Sequence, residues 1–385
     1  MVVNSSSKGG SQIGRPVFLL KKMFFDDVER IKKESSGEGG GVGGSKAGGG
    51  EADGGERGVE AGSVAVKGLV SCHAHLDRAF TVTSENWAQS RALMEEKWKL
   101  VNEIRKKNAA DPSGMKERVR GVLEMMIEQG VAVFHTHVDA DLNTELKVVE
   151  AMNELRREYE GRILLRFSAH PTQGFLNEDA SGHDAKKIEI FEKACAMCDT
   201  VGALPSADRR LTDGDLKHLD IAFGVAKNLG KDIDVHIDKE NNPYEKDTEK
   251  LIGVVRKFGW EGRTNFLHCI SVAAQVKKDR ERIIAGLKDI GANVIVCPTC
   301  AVAMKQHDDK MAPVHNSIAP IPEMVASGVN VSLGVDNISD VYDPDSSGIL
   351  WDEIRLIAVA CRYYEPEILA RIATVNGYKT LGLRS

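Results

Sequence analysis

Val64-Ala65-Val66-Lys67-Gly68-Leu69-Val70 runs directly into Ser71-Cys72-His73-Ala74-His75-Leu76-Asp77, and this stretch decides the fold. The apolar run is read as a strand, and the two histidines stand at its end. Side chains in an extended segment repeat every second residue, so His73 and His75 point the same way while Cys72 and Ala74 face the packing side. Two imidazoles so placed can share one metal ion, and imidazole suits zinc, iron and related ions. Two histidines exchanging hydrogen bonds in a polar pocket would show the same spacing. The rest of the chain separates the two readings.

From residue 63 onward, strands and helices alternate. Strand one covers about 64–72. A helix is predicted over 86–107, with Leu93, Met94, Trp98, Val101 and Ile104 on one face, and another over 114–129, stopped by Gly130. Strand two is Val131 to His137, followed by a helix at 144–159. Strand three is 162–169, with a helix at 184–197, and strand four is 200–204, with a helix at 213–229. Strand five is Asp232 to His236. Asn242 as cap and Pro243 at the first position open the next helix, which ends at Gly259. Strand six is Thr264 to His268, and Ser271 caps a long helix ending before Gly291. Strand seven is Asn293 to Cys297. A long loop, Pro298 to Pro320, carries Lys305, His307, His315 and Asn316. A short helix reaches Ser327, strand eight is Asn330 to Gly334, and helices follow at 349–361 and 365–374. Eight such units in about 310 residues predict a (β/α)8 barrel, a fold that holds roughly 250 residues or more in one domain.

In such a barrel the strand C-termini meet at one face, where the site lies. Strand one ends in His73 and His75, strand two in His135 and His137, strand five in His236 and strand six in His268. Asp336 stands just past strand eight. Six of the chain's 11 histidines thus fall at strand ends, whereas chance would scatter them over helices and loops. His73, His75, His236 and Asp336 form a set of three nitrogens and one oxygen with room for a water. A divalent ion held so lowers the pKa of its water to about 7, which gives hydroxide at neutral pH. Asp336 can ligate the ion and accept the water's proton, and His268, one strand over, can stabilise charge on the attacked carbon's oxygen.

Composition narrows the function further. Hydrophobic residues make up 42% of the 385, enough for a large core, and the net charge of −6 gives no support for nucleic-acid binding. Only 5% of residues are aromatic, too few for a base-stacking platform. No apolar run reaches the ~18 residues that span a membrane. Seven cysteines without a dense framework suit a reducing, cytoplasmic setting. Cys195/Cys198 and Cys297/Cys300 have C-x-x-C spacing but lie too far apart for a zinc ribbon, and core packing is the reading for both. Residues 1–33 form an N-terminal segment, strand or short helix, without a targeting pattern. Residues 34–62, rich in Gly, Glu and Ser, read as a disordered insert. The barrel occupies 63–385.

The ordered set of pieces from about 68 to 350 resembles the amidohydrolase superfamily, and within it the cytosine deaminase-like branch. These pieces are His73-Ala74-His75-Leu76-Asp77, Thr136-His137-Val138-Asp139, Pro171-Thr172-Gln173-Gly174, Val201-Gly202-Ala203-Leu204-Pro205, His236-Ile237-Asp238, Phe266-Leu267-His268 and Leu333-Gly334-Val335-Asp336-Asn337. The resemblance implies a metal-dependent hydrolase of non-peptide C–N bonds in a small, cyclic nitrogenous substrate. It implies one zinc or iron on His73, His75, His236 and Asp336, with His268 beside the ion's water. Thr172, Gln173, His137 and Asn337 take positions beside the substrate. No lysine ends strand three or four, so the carboxylated-lysine bridge of two-metal relatives is not expected.

Three departures from that pattern stand out. Lys239 replaces the glutamate that in such deaminases shuttles a proton to a ring nitrogen, and Glu240 is one residue off. A neutral Lys239 could act as a base, a charged one could hold an anionic group, and pairing with Asp238 or Glu240 is the structural alternative. Thr172 stands where a ring-binding glutamine is expected, with Gln173 next. The β-sandwich that usually flanks these barrels looks reduced or missing, which leaves surface that a homo-oligomer could cover. A barrel that binds metal or ligand without turnover, and a phosphoester hydrolase with two metals, are the rival functions. Asp340, Asp343 and Asp345 lack EF-hand spacing and are read as a turn. Trp87, Met94 and Trp98 are read as core.

Overall fold

The computed structural model describes residues 19–36, 67–90, 94–208, 216–303 and 318–383. Helix α1 (Leu19–Ser36) precedes β1 (Leu69–Ser71), α2 (Trp87–Ser90), α3 (Met94–Ala110), α4 (Pro112–Glu128), β2 (Val131–Asp139), α5 (Lys147–Glu158), β3 (Leu164–His170), α6 (Ala185–Met197) and β4 (Thr200–Ala203). Then come α7 (Lys217–Leu229), β5 (Ile233–Ile237), α8 (Asp247–Phe258), β6 (Thr264–His268), α9 (Ile270–Ala274), α10 (Lys277–Asp289) and β7 (Asn293–Val296). The chain ends with α11 (Pro298–Ala303), α12 (Ile321–Ala326), β8 (Asn330–Leu333), α13 (Leu350–Ala360), α14 (Pro366–Ile372) and α15 (Val375–Thr380).

The eight strands are parallel neighbours in chain order, as the strand–helix alternation predicts. The sheet closes between its first and last strands. Cys72 N–H donates to Leu333 O at 2.7 Å, Asp336 N–H to His73 O at 3.0 Å, and His75 N–H to Asp336 O at 3.2 Å. The closure is tight: a Cβ on Gly334 would lie 2.8 Å from His73 O and 2.9 Å from His73 N, backbone atoms that cannot yield. Branched and aromatic side chains such as Val133, Phe167, Val235 and Phe266 fill the core, with the helix ring packed outside. Gly230 and Gly259 close α7 and α8 in the left-handed conformation that glycine adopts freely. Among the described residues every strand belongs to this barrel, so no flanking sandwich is seen. No helix is long and apolar enough among them to cross a membrane.

Several local expectations are corrected. The first expected helix is two, α2 and α3; Val101 and Ile104 are buried, but Trp87 and Trp98 are 42% and 47% exposed, not core. Asn242-Pro243 opens a turn in which Asn242 Oδ1 accepts from Tyr244 N–H. Helix α8 begins at Asp247 instead, where the Asp238 carboxylate accepts from the Asp247 and Thr248 N–H groups. Ser271 lies inside α9, its hydroxyl donating to Glu240 O, and the long helix breaks before α10 where Gln275 leaves helical geometry and donates to Pro243 O and Glu245 O. The loop after β7 begins as α11; Lys305, His307, His315 and Asn316 lie outside the described residues, as do residues 37–62 of the expected insert and the Leu93 and Met94 side chains. Residues 19–36 settle as helix, with Phe24, Val28 and Ile31 buried and Phe24 5.4 Å from the Trp351 ring. The Asp340 carboxylate accepts from Tyr342 and Asp343 N–H, the turn that was expected.

Candidate active site

The barrel gathers six imidazoles and a carboxylate at its C-terminal mouth. His73 and His75 leave β1 together, 4.9 Å apart at the ring centroids. His236 from β5 lies 4.9 Å from His73 and 5.5 Å from His75. Asp336 Oδ1 is 3.2 Å from His73 Nε2 and 3.5 Å from His75 Nε2, while Oδ2 faces His268 Nε2 at 3.9 Å. One ligand atom from each of His73, His75 and His236 lies within 4.8 Å of the others, as do those of His73, His268 and Asp336. The structure therefore brings together every residue of the predicted ligand set, with His268 beside it.

Backbone strain aims two of these groups. His268 (φ 79°) and Asp336 (φ 56°) occupy the left-handed region, which costs non-glycine residues on the order of 1–3 kcal/mol and marks sites where surroundings over-determine the conformation. His137, from β2, stands behind His73, with Nδ1 to Nδ1 at 3.0 Å. One of the two nitrogens must carry the proton, so the tautomers of His73 and His137 are coupled.

His135 does not join them. It sits deeper in the barrel, its Nε2 2.8 Å from Asp234 Oδ2, in a buried core pair. The sixth imidazole is His170, which ends β3 and which the sequence reading passed over. Its ring lies 4.5 Å from His236 and 5.2 Å from both His75 and His137.

Burial disfavours the charged form of five of these imidazoles. Burial pushes the imidazoles of His75, His137 and His236 well below 6.5, and those of His170 and His268 to about 3. Burial would raise Asp336, but the His73 ring beside it outweighs that and holds the carboxyl well below the usual range. Neutral imidazoles and an ionised carboxylate are the forms that ligate metal. The orphaned atoms agree: among the described residues His73 Nε2, His75 Nδ1 and both nitrogens of His236 meet no hydrogen-bond partner. Buried polar atoms are rarely left so, and the donor set fits a divalent ion.

A cavity of about 910 Å³ opens above this centre. Lys239 lines it, and its ammonium opposes protonation of both His170 and His268. Gln173 lines it too and accepts from Leu142 N–H, while the Thr172 hydroxyl donates to Asp139 Oδ1 at 2.7 Å. Asn337 is buried on the opposite wall, with Nδ2 3.6 Å from Cys300 Sγ. All four C-x-x-C cysteines are buried and free; Cys300 also reaches the cavity.

Helix α11, which carries Cys300, is tied down by Glu353 of α13, whose Oε2 accepts from Thr299 N–H at 2.8 Å. Burial pushes this carboxyl up to about 8 from an ordinary 4.5. The folded chain thus keeps a proton that the unfolded chain gives up above pH 4.5. The corresponding stability is intact below pH 4.5 and is lost as pH rises toward 8. Glu353→Gln keeps the acceptor and carries no charge. Its Tm is expected to exceed the wild-type value near pH 8 and to match it near pH 5, a difference that thermal melts at the two pH values would read.

This fold and centre define a metal-dependent hydrolase barrel. The chain belongs to the amidohydrolase family, which matches residues 64–385, and it is an enzyme of hydrolase type acting on carbon–nitrogen bonds other than peptide bonds. It is 32% identical over 259 residues to an uncharacterized protein of Haemophilus influenzae, covering 67% of this chain and 90% of that one. It is 26% identical over 296 residues to N-isopropylammelide isopropyl amidohydrolase of Pseudomonas sp., covering 74% of this chain but 66% of the relative. The structure of 5-methylcytosine deaminase from Klebsiella pneumoniae, liganded with phosphonocytosine, superposes with a TM-score of 0.73 at 23% identity, over 83% of this chain and 76% of that one.

Proposed function

We propose that this protein hydrolyses a C–N bond of a small cyclic nitrogenous compound, as deaminase or amidase, releasing ammonia or an amine. The observation that carries the proposal is the convergence of His73, His75, His236 and Asp336 with orphaned ligand atoms. These four would hold one zinc or iron ion, which when bound supplies Lewis-acid activation of water at neutral pH. The tautomer of His137 is coupled to that of His73. Asp336 takes the attacking water's proton at Oδ2, the oxygen turned toward His268. His268 Nε2 then stabilises the oxygen on the attacked carbon. The proton leaves with the amine, so a C–NH2 group and water give C=O and ammonia. Gln173, Thr172 and Asn337 frame the substrate on the cavity walls. Lys239 takes the place of a shuttling glutamate and faces the same reacting region, where it holds an electronegative substrate atom. Burial from bulk water strengthens each of these contacts.

Metal analysis of purified protein tests the centre. We expect about one zinc or iron per chain in the wild type and its loss in His236→Ala. Ammonia release across amines, amidines and lactams is expected from metal-loaded wild type alone. Full metal content in His236→Ala, or no metal after reconstitution of the wild type, defeats the proposal.

A further inference from the structure

The cavity extends outward from the histidine centre to α3 and the β2–α5 connection. There Trp98, Asn102, Arg105, Leu142, Asn143 and Tyr342 line it, and none of them takes part in the reaction proposed above. Arg105 is the decisive member. It is 3% exposed. Its Nη2 donates to Asn102 Oδ1, and its Nε lies 3.2 Å from Asp141 Oδ2. Its Nη1 meets no acceptor among the described residues. A buried guanidinium nitrogen left without an acceptor is costly, and in a ligand cavity the acceptor is the ligand's to bring.

The surroundings say what kind of acceptor. Asp141 turns Oδ2 to Nε while its Oδ1 accepts from Asn143 and Thr144 N–H, so neither oxygen bonds Nη1. Asn143 Nδ2 lies 3.5 Å from Asn102 Oδ1, the oxygen to which Nη2 donates, so two side-chain amides stand beside the guanidinium. The neighbouring Arg78, over the Tyr342 ring, is paired with Asp139, and Arg105 is shared with Asp141, so the open Nη1 suits a monoanion. Trp98 and Leu142, 47% and 37% exposed, offer apolar faces that a planar ring would cover.

We propose that this end of the cavity is a subsite for a carboxylate on the substrate. The substrate is then a planar nitrogen heterocycle bearing an acid group, held by Arg105 Nη1 beside the amides of Asn102 and Asn143 and flanked by Trp98 and Leu142. The reacting end of this description rests on the C–N hydrolase function proposed above; the anion-binding end does not.

The experiment is calorimetric titration of the metal-loaded protein with uracil, uracil-5-carboxylate and uracil-6-carboxylate. One carboxylate is expected to bind roughly 10- to 100-fold more tightly than uracil, the range of a charge-assisted hydrogen bond. Arg105→Gln removes that advantage and leaves the affinity for uracil unchanged, whereas Lys239→Met retains it. Should Arg105→Gln not fold, Asn143→Ala replaces it, with a several-fold loss confined to the carboxylate. Equal affinity of all three compounds, absence of saturable binding, an advantage that persists in Arg105→Gln, or one that vanishes in Lys239→Met overturns the proposal. No turnover is read, so failure of the hydrolase function would show in the metal and ammonia assays and not here.

Discussion

Asp336→Asn is expected to lower turnover by roughly 10³-fold or more while the melting temperature of the protein stays close to wild type. The size follows from the two duties of the carboxylate. Loss of a proton acceptor alone costs about 10²- to 10⁴-fold, and the amide is also a poorer ligand on the oxygen that faces His73 and His75. The fold should survive because the barrel closure uses the Asp336 backbone, with its N–H on His73 O and its carbonyl accepting from His75, and the substitution leaves both bonds in place. The measurement is kcat and kcat/KM on whichever C–N substrate the screen returns, with a thermal melt alongside. Retention of a tenth or more of the activity would remove Asp336 from the mechanism. A large fall in Tm would instead make the residue structural.

The second large effect is on stability. Arg78 is almost fully buried, with Nη1 3.4 and 3.3 Å from the two Asp139 oxygens and Nε 3.7 Å from Asp340 Oδ2, and it stacks on Tyr342 at 5.1 Å. Burial pushes Asp77 up to about 7 and Asp340 to about 6 even with this cation among them. Arg78→Met fills the volume but leaves the acids uncompensated. A loss of about 3–5 kcal/mol in unfolding free energy near pH 7 is expected, the cost of removing one partner from a buried ionic network. Without the guanidinium the acids protonate more easily, so the deficit should shrink toward pH 5, and Asp139→Asn in the same chain should restore part of it. Denaturant unfolding at the two pH values reads all three quantities. A loss below about 1 kcal/mol would show that water or chain relaxation already compensates these acids.

The barrel was legible because its strands are short apolar runs between long amphipathic stretches, and because histidine is rare enough for its placement to stand out. His73, His75, His236, His268 and Asp336 converge where their positions at strand ends require. What was missed has physical causes. Strand three was read to end at Ala169, and the pairing of His170 with Asp139 across the β2–β3 ladder adds one more residue, which is the one that completes the imidazole ring. His135 and His137 share a face and look equivalent in sequence. Two residues along a strand is a full layer in depth, however, and the lower layer belongs to Asp234. The start of α8 depends on a cap from Asp238, nine residues upstream, which no local pattern signals. Trp98 followed a helical stripe, but it lines a cavity, and periodicity does not distinguish a cavity from a core.

The closure of the barrel between β1 and β8 also orders events during synthesis. The first imidazoles of the centre belong to the first strand, and the carboxylate arrives only after the last, so nearly the whole barrel separates them. A nascent chain that has completed β1 to β7 holds all six histidines but neither the carboxylate nor the hydrogen bonds that seal the ring. A chain truncated before β8 therefore lacks both the carboxylate and the seam, and would carry an open cluster of imidazoles.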